Sequence, residues 1–382
     1  MTVFNHEKTM LKNIQAAGTY PAAFAELEAA ARELLDVGPY GYIQSGAGGE
    51  QTMRDNVASL ANYSYVPRFL NDVSNVETSV TLFGRTYSSP LLIAPIGVQK
   101  MVHEEGEVAT AKAAADLGLP FIQSTVSSCS IEEIAAATGT SPKWYQLYWS
   151  QNEEIAYSMV KRAENAGYEA IVLTIDTMMI GWREQDIRSR FSPLAAGFGQ
   201  GNYESDAVFM ESLPARDQSA IVQGILDNIL HPSLSWKQVA ELRKWTKLPI
   251  ILKGVLHPED AKLAMDNGID GIIVSNHGGR QLDGAIASID ALPEIVQAVD
   301  RKMPVLFDSG VRRGSDILKA MALGADAVLV GRPYIYGLAV GGQAGVAHVL
   351  NNLLEEFRIS MALSGVADVK DLGKLKIVKN NI

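Results

Sequence analysis

The sequence predicts an α/β protein built as a closed (β/α)8 TIM barrel, and three observations support this fold class. Short apolar runs alternate with segments of helical periodicity from residue 91 onward, as parallel βαβ units do. The apolar runs are hydrophobic throughout, which is typical of strands buried on both faces. The 382 residues suffice for one barrel with an extension. A doubly wound sheet shows the same alternation, so topology alone leaves that fold open.

Eight strands and eight helices can be assigned along this part of the chain. The predicted strands are 91–94, 119–122, 144–148, 170–175, 250–252, 271–274, 305–307 and 327–330. Helical periodicity predicts helices at 104–117, 131–138, 153–166, 236–245, 258–267, 289–300, 314–323 and 345–363. Two helix starts carry recognisable signals: Ser130 precedes two glutamates, and Pro258 stands in a first turn with acidic residues behind it.

Two regions lie outside this alternation. Residues 1–90 contain helical stretches at 21–35 and 49–62, and they predict an N-terminal extension packed on a barrel of residues 91–382. Residues 192–234 form a long connection after the fourth strand, rich in Gly, Ser and Asn. Connections of this length are typical of functional lids, so we expect a lid loop over the barrel mouth.

The composition excludes several functional classes. The formal charge of −10 argues against nucleic acid as a partner, because binding to phosphates needs a basic face. A single cysteine, Cys129, excludes an internal disulfide, and six scattered histidines give no support for a metal site. The N-terminus lacks a signal-peptide core, and no apolar run reaches the ~18 residues of a membrane span. We therefore expect a cytoplasmic protein.

Polar residues cluster where the predicted strands end. Because these ends surround one mouth in a barrel, we expect their side chains to form the active site. The residues are Ser124, Gln146, Tyr148, Thr174, Asp176, Lys253, Ser275, His277, Arg280, Asp308, Gly310, Arg312, Gly331 and Arg332. Taken singly, several have ordinary structural explanations: His277 could be a core histidine, and Asp176 could cap a turn.

Two constellations indicate chemistry more strongly than single residues do. The stretch "SNHGGR" places an imidazole at His277 and a guanidinium at Arg280, separated by two glycines that allow close approach. Glycine and arginine recur together after the last two strands, where barrel enzymes often bind a phosphate. Tight turns with surface arginines are the alternative explanation. Phosphate-loop and dinucleotide-binding patterns are absent.

The motifs together resemble the FMN-dependent L-2-hydroxy-acid oxidase and dehydrogenase family. The resemblance covers residues 40–364 and rests on "APIGVQKMVHEEGE", "YQLYW", "LTIDT", "GWREQDIRSRF", "LKGVLHPEDA", "VSNHGGRQLDGAIAS", "DSGVRRGSDILKA" and "GRP". The stretches "GWRE", "NYESDAVF" and "HPSLSW" are similar to the lactate 2-monooxygenase branch. That branch retains its keto acid beside the peroxide and decarboxylates it.

The resemblance implies a role for each matching residue. His277 is the base, Asp176 stabilises its imidazolium, and Tyr148 hydrogen-bonds the substrate hydroxyl. The substrate carboxylate is bound by Tyr42, Arg183 and Arg280. The residues implied to bind FMN are Pro95, Gly97, Ser124, Gln146, Thr174, Lys253, Ser275, Asp308, Gly310, Arg312, Gly331 and Arg332. Gly97 stands where many relatives have alanine, and this predicts space beside the flavin.

The expected reaction is oxidation of an L-2-hydroxy acid, with L-lactate first, to the 2-keto acid with oxygen as acceptor. A bulkier substrate such as mandelate is the alternative within the family, and an FMN-dependent barrel isomerase is the alternative from another class. The resemblance also implies a homo-oligomer, a homotetramer or an octamer.

Overall fold

The computed structural model describes residues 20–380. Three helices come first: α1 (Phe24–Leu34), α2 (Val37–Gln44) and α3 (Gln51–Ala61). Strand β1 (Tyr63–Val66) and the antiparallel hairpin of β2 (Val80–Leu82) and β3 (Arg85–Tyr87) follow. Helix α2 is not predicted by the sequence, because "VGPYGYIQ" contains two glycines and a proline and has no amphipathic period.

Eight parallel strands close into a barrel, which confirms the predicted fold class. The neighbour order around the barrel is β10-β11-β4-β5-β6-β7-β8-β9, so each strand lies beside the next one in the chain. The strands are β4 (Leu91–Ile93), β5 (Phe121–Gln123), β6 (Lys143–Leu147), β7 (Ile171–Thr174), β8 (Ile250–Val255), β9 (Gly271–Val274), β10 (Val305–Phe307) and β11 (Ala327–Val330).

Helices cover the outside of the barrel and fill the long connection after β7. They are α4 (Gly106–Asp116), α5 (Ile131–Thr138), α6 (Glu153–Asn165), α7 (Glu184–Ser189), α8 (Gly201–Glu204), α9 (Ala207–Ser212), α10 (Gln218–Asn228), α11 (Trp236–Trp245), α12 (Pro258–Asp266), α13 (Ser288–Val299), α14 (Gly314–Ala322) and α15 (Arg332–Leu363). Strand β12 (Lys376–Lys379) then pairs antiparallel with β1.

The last helix differs most from its predicted bounds. It was expected to begin at residue 345, but α15 begins directly after the last strand, at Arg332. Gly341 and Gly342 depart from helical dihedrals and kink it. The glycine-rich stretch has no helical periodicity, so the sequence did not predict the first half of this helix. The early start places Arg332 in the first helical turn, at the mouth of the barrel.

The connection after β7 is as long as predicted, but much of it is helical and anchored to the barrel. The buried Asn202 amide donates 3.0 Å hydrogen bonds to the carbonyls of Ser124 and Thr125. Arg162 on α6 donates to the Asn202 carbonyl at 2.8 Å and to the Asp206 carboxylate at 3.0 Å. Asp206 in turn caps α9. These bonds fix the base of the connection against the loop after β5.

The barrel interior is apolar at the amino-terminal end of the strands. Trp144 is 1% exposed there, and the β2–β3 hairpin covers it with Phe83 and Tyr87, whose ring centroids lie 5.6 and 6.5 Å away. No helix within residues 20–380 has the length and apolar character of a membrane-spanning segment.

Candidate active site

A cavity of about 950 Å³ opens at the carboxyl-terminal ends of the strands. Most of the residues predicted for the site line it: Tyr42, Pro95, Gly97, Ser124, Tyr148, Arg183, Lys253, His277, Arg280, Asp308, Gly310, Arg312, Gly331 and Arg332. The remaining predicted residues, Asp176, Gln146, Thr174 and Ser275, lie behind these and hydrogen-bond residues near the cavity. The structure therefore brings the predicted set together around one space.

His277 and Asp176 form a hydrogen-bonded pair at the mouth. Asp176 follows β7 and His277 follows β9, and the Nδ1–Oδ1 distance is 2.8 Å. The Thr177 hydroxyl donates to the same Oδ1 at 2.9 Å. With the Nδ1 proton committed to Asp176, the neutral ring has its lone pair on Nε2. The pair is therefore arranged for His277 to accept a proton.

Burial and neighbouring charges set the protonation states of this pair. Burial lowers the pKa of His277 below its usual range, with further lowering by Lys253 and Arg183, although Asp176 opposes the shift. Burial alone would raise the pKa of Asp176, but His277 and Lys253 outweigh it, and the pKa of this carboxyl is lowered. At neutral pH the imidazole is uncharged and the carboxylate is ionised, as a general base and its partner require.

The loop that carries His277 is held in a conformation that few side chains adopt. His277 has φ of 59°, and Gly278 and Gly279 have φ of 65° and 77°. Asn276 fixes the turn, because its Oδ1 accepts from Gly279 N at 3.1 Å. The Asn276 amide also pairs reciprocally with that of Asn56 on α3, at 2.7 and 2.8 Å. The strained position of the base is thus determined by its surroundings.

The glycines of this loop allow the close approach expected from the sequence, and packing requires them. A Cβ at Gly279 would lie 2.6 Å from the backbone nitrogen and Cα of Met53, and one at Gly278 would lie 3.0 Å from Arg332 Nη1. The close approach of α3 and of Arg332 therefore explains why both positions are glycine.

Arg280, Arg183 and Tyr42 form a cationic wall beside His277. The Arg280 Cζ lies 4.6 Å from the centroid of the Tyr42 ring, and the Arg183 Cζ lies 5.9 Å from it. Arg280 Nη1 donates to the carbonyls of Tyr42 and Ser45, which end α2. Its Nη2 is buried and has no hydrogen-bond partner among the described residues. Burial, reinforced by Arg183, lowers the pKa of Arg280 to about 10.

Tyr148 stands one residue beyond β6, on the same side of the cavity as Tyr42 and Arg183. Burial raises the pKa of its phenol, and the charge of Asp176 adds to this effect. The hydroxyl is therefore protonated throughout the physiological range. It is able to donate a hydrogen bond to a ligand oxygen.

Lys253 forms a buried ion pair with Asp308, and both residues line the cavity. Its Nζ lies 3.1 Å from Asp308 Oδ2 and donates to Ser275 Oγ at 2.9 Å. Burial opposes its charge, but Asp308 and Asp176 outweigh this effect and raise the pKa of Lys253. Lys253 was expected just beyond a strand, but β8 continues to Val255 and the lysine lies within it. Asp308 is the counterion of this lysine.

Ser124, Gln146 and Thr174 form a hydrogen-bonded row across β5, β6 and β7. Gln146 Oε1 accepts from Ser124 Oγ at 3.2 Å, and Gln146 Nε2 donates to Thr174 Oγ1 at 3.0 Å. All three are buried. The hydrogen bonds of the row are made within the protein, and Ser124 is the member of the row that lines the cavity.

The loop after β4 lies beside the Ser124 end of this row, and it is tightly packed. Gly97 was predicted to leave space, but a Cβ built there would lie 2.4 Å from the Val126 carbonyl oxygen. The expectation of free space at Gly97 is therefore wrong, because the loop after β5 fills it. The Tyr334 hydroxyl and the Gln99 amide hold the same loop through 2.8 Å bonds to the carbonyls of Ala94 and Ile96.

Glycine and arginine meet at the end of the cavity between β10 and β11. Gly310 and Gly331 line it with Arg312 and Arg332. Arg332 is fixed by backbone carbonyls: Nε donates to Ile43 at 2.9 Å, Nη1 to Gly278 at 3.1 Å and Nη2 to Ser45 at 2.9 Å. Burial, together with Arg312, lowers the pKa of Arg332 to about 10. One buried cation, Arg332, and one partly buried cation, Arg312, thus lie at this end.

A second, more apolar cavity of about 1170 Å³ adjoins the first. The two cavities share Tyr42, Val126, Tyr148 and Arg183. Its apolar lining comes from the connection after β7: Ile180, Trp182, Ile187, Phe191, Leu194, Leu226, Ile229 and Leu230. The space beyond the arginines can therefore accept an apolar group.

Sequence reasoning missed residues that act through backbone or tertiary contacts. Thr177, Asn56 and Ser309 position the His277 loop; Ser309 Oγ accepts from Gly278 N at 3.0 Å. Phe24 stacks on Arg312, and no periodicity or motif in the sequence could have signalled this. Asn276 belongs to the quoted motif, so its position alone could have suggested a role.

Within residues 20–380, no group of three or more His, Cys, Asp or Glu side chains could hold a metal ion. The barrel, the imidazole–carboxylate pair and the arginine wall define an enzyme that acts on a small carboxylic acid. The chain belongs to the FMN-dependent dehydrogenase family, which it matches over residues 31–379.

Named relatives agree with this family. The L-lactate oxidase of Lysinibacillus sphaericus (strain C3-41) is 59% identical over 372 residues, which are 97% of this chain and 96% of that protein. The 2-hydroxyacid oxidase 1 of Homo sapiens is 41% identical, over 93% of this chain and 96% of its own. A crystal structure of mandelate oxidase superimposes with a TM-score of 0.86 at 41% identity, covering 95% of this chain and 100% of that one.

Proposed function

We propose that the protein oxidises L-2-hydroxy acids, with L-lactate as the first substrate, to 2-keto acids with oxygen as acceptor. The observation that carries this proposal is the His277–Asp176 pair directly beside the Arg280 wall in one cavity. Removing two electrons from a 2-hydroxy acid needs a base for the hydroxyl proton and a fixed carboxylate, and this arrangement supplies both. The 59% identity to an L-lactate oxidase supports the same reaction.

The residues present fit the FMN on which the family depends. The cavity is lined by a few polar and charged groups at its two ends, with apolar side chains and backbone between them, as cofactor sites usually are. At one end, Arg312 and Arg332 with the glycine backbone suit a phosphate. At the other end, the Lys253 cation suits negative charge on a reduced flavin ring. Ser124 and the Pro95–Gly97 backbone would border the ring between them.

The substrate would lie between the flavin and the arginine wall. Arg280 and Arg183 would bind the carboxylate, and the unpartnered Arg280 Nη2 would gain an acceptor. Tyr148 would donate its hydroxyl proton to the substrate hydroxyl oxygen in a hydrogen bond. When bound, FMN would supply the two-electron acceptor for this reaction, with oxygen as the final acceptor.

The proton of the substrate hydroxyl goes to His277. Nε2 accepts it as the hydrogen of the α-carbon leaves with its electron pair, so the substrate becomes the 2-keto acid. Asp176 then faces an imidazolium rather than a neutral ring, and the ion pair stabilises it. For L-lactate, the balance is one lactate and one oxygen consumed, and one pyruvate and one hydrogen peroxide formed.

We propose release of peroxide rather than its use inside the enzyme. The sequence resemblance to lactate 2-monooxygenase predicts retention, with acetate, carbon dioxide and water as products. The relative at 59% identity is named for the oxidase reaction and favours release. The test is product analysis in air with catalase present. We expect pyruvate and no acetate; acetate formed despite catalase contradicts the proposal.

A bulkier 2-hydroxy acid is the second candidate, because the apolar cavity of about 1170 Å³ continues beyond the substrate position. The 41% identity to mandelate oxidase supports it. The primary experiment is the visible spectrum of the purified protein, followed by anaerobic addition of L-lactate and (S)-mandelate separately. We expect a flavin spectrum that bleaches faster with L-lactate. A colourless protein contradicts the function, and faster bleaching with mandelate favours the second candidate.

The homo-oligomer and the cytoplasmic location expected from the sequence remain predictions. So does the barrel-plus-extension division at residue 90. Size-exclusion chromatography of the flavin-loaded protein tests the first, with a tetramer or octamer as the expected result.

A further inference from the structure

Arg312 forms a wall between two cavities at the end of the barrel where the phosphate is proposed to bind. On one side is the main cavity, which it lines with Gly310, Gly331 and Arg332. On the other is a smaller cavity of about 410 Å³, lined by Phe24, Glu356 and others. The guanidinium therefore has space on both sides, and something must keep it turned towards the main cavity.

The two arginines at this end are held in different ways. Arg332 has all three guanidinium nitrogens bonded to backbone carbonyls. Arg312 Nη1 donates a hydrogen bond to the carbonyl of the adjacent Val311 at 2.9 Å. The guanidinium also lies over the Phe24 ring, whose centroid is 4.7 Å from Cζ. Arg312 is thus positioned by an aromatic face.

The Phe24 ring is itself fixed in place. It packs on the Tyr336 ring with centroids 5.7 Å apart, and the Tyr336 hydroxyl donates to Glu28 Oε1 at 3.0 Å. Phe24 and Glu28 both belong to α1, and Tyr336 belongs to the first turns of α15. Helix α1 therefore presents a rigid aromatic face to the guanidinium.

From this geometry we propose that Phe24 is a positioning residue for the cofactor phosphate. The proposal rests on the function proposed above, and it extends the cofactor site into the N-terminal helices. The ring holds the Arg312 guanidinium towards Gly331 and Arg332, where it meets a phosphate. Without the ring, the side chain can turn into the smaller cavity, where the Glu356 carboxylate lies.

The test compares Phe24→Leu with Phe24→Tyr in the flavin-loaded protein. Leucine keeps apolar volume but has no π face, whereas tyrosine keeps the face. Each protein is loaded with FMN or exchanged with excess riboflavin, which has the same ring but no phosphate. Serial dilution with measurement of free-flavin fluorescence then gives the Kd for each flavin.

We expect Phe24→Leu to raise the Kd for FMN by roughly 2- to 30-fold, the range for loss of a cation–π contact. The Kd for riboflavin should stay the same, and Phe24→Tyr should bind both flavins like the unchanged protein. Ala31→Gly, a buried position on the same helix away from the ring, is the matched control for weakened helix packing. It should not separate the two flavins.

Two results overturn the proposal. An unchanged Kd for FMN in Phe24→Leu means that the ring does not position Arg312. Equal weakening of FMN and riboflavin means that the ring has a structural role only. Failure of the proposed function is distinguishable from both, because the unchanged protein would then bind neither flavin.

Discussion

The two ends of the barrel use the same eight strands in opposite ways. At the amino-terminal end, Trp144 is buried under the hairpin side chains Phe83 and Tyr87, and contacts are apolar. At the carboxyl-terminal end, the buried Lys253 and the partly buried His277 are charged or titratable, and each is paired with an aspartate. The side chains at the amino-terminal end are stabilised by apolar packing, whereas those at the carboxyl-terminal end are stabilised by polar pairs.

The difference shows where ligands are to be expected. Buried polar groups are normally all hydrogen-bonded. At the mouth, Arg280 Nη2 and Asp176 Oδ2 are buried without a partner among residues 20–380. This unused hydrogen-bonding capacity costs stability unless a ligand or water satisfies it. Substitutions at the mouth should therefore change chemistry, and substitutions at the closed end should change stability.

The largest expected effect is on catalysis at the mouth. His277→Gln keeps a side chain of similar size but removes the base. We expect anaerobic flavin reduction by L-lactate to slow by roughly 10²- to 10⁴-fold, the usual share of general-base catalysis. FMN should remain bound, and the urea midpoint of unfolding should stay the same. Stopped-flow absorbance measures the first, and circular dichroism the second.

The control for that substitution is His257→Gln, at an exposed histidine that caps α12. It should reduce flavin at the normal rate. Near-normal reduction in His277→Gln would refute the assignment of the base, and it would remove the catalytic half of the comparison between the two ends.

The contrast between the two ends was partly predictable from the sequence. Alternating segments predicted the barrel, and polar residues after the apolar runs predicted its mouth, because strand ends of one direction must converge. The roles of His277 and Arg280 followed from the motif that carries them. The sequence could not show that Asp308 pairs with Lys253, since the two are far apart in the chain and meet only through closure of the barrel.

Other features depended on tertiary contacts alone. Helix α2 has poor helical propensity, and contacts with α7 and the arginines accompany its formation. The tight packing at Gly97 depends on the path of the loop after β5. Phe24 comes from a segment read only as a helix in an extension. Periodicity reports which face is buried but not which partner covers it.

The next largest effect is on stability at the closed end. Trp144→Ala removes the largest buried side chain at the amino-terminal end of the barrel. We expect the free energy of unfolding to fall by about 3–5 kcal/mol. The kcat of the folded protein should be unchanged, because the site lies at the opposite ends of the strands. Urea titration and steady-state assays below the unfolding range measure the two quantities.

If Trp144→Ala does not yield folded protein, Trp144→Phe makes the same test, because it keeps an aromatic ring and loses less packing. A fall in kcat with no loss of stability in either variant would contradict the division of roles between the two ends.

The smallest expected effect concerns pH. His277 must be neutral to accept the substrate proton, so kcat/KM falls at low pH as the imidazole becomes protonated. Burial lowers the pKa of His277, and Asp176 opposes that shift by stabilising the imidazolium. Asp176→Asn removes the opposing charge, so the pKa of His277 falls further. The acid limb of the kcat/KM profile should therefore move to lower pH, and its plateau should fall because the imidazolium formed in the reaction is less stable.

A profile of kcat/KM against pH for both proteins measures the limb and the plateau separately. Asp290→Asn is the matched control, because Asp290 pairs with Lys379 and Tyr63 and is not among the groups that shift the pKa of His277. It should leave the limb in place. A limb that moves to higher pH in Asp176→Asn would mean that the carboxylate does not stabilise the charged ring. A lower plateau with an unmoved limb would mean that Asp176 orients His277 without tuning it, and the mouth would then differ from the closed end in geometry rather than in charge.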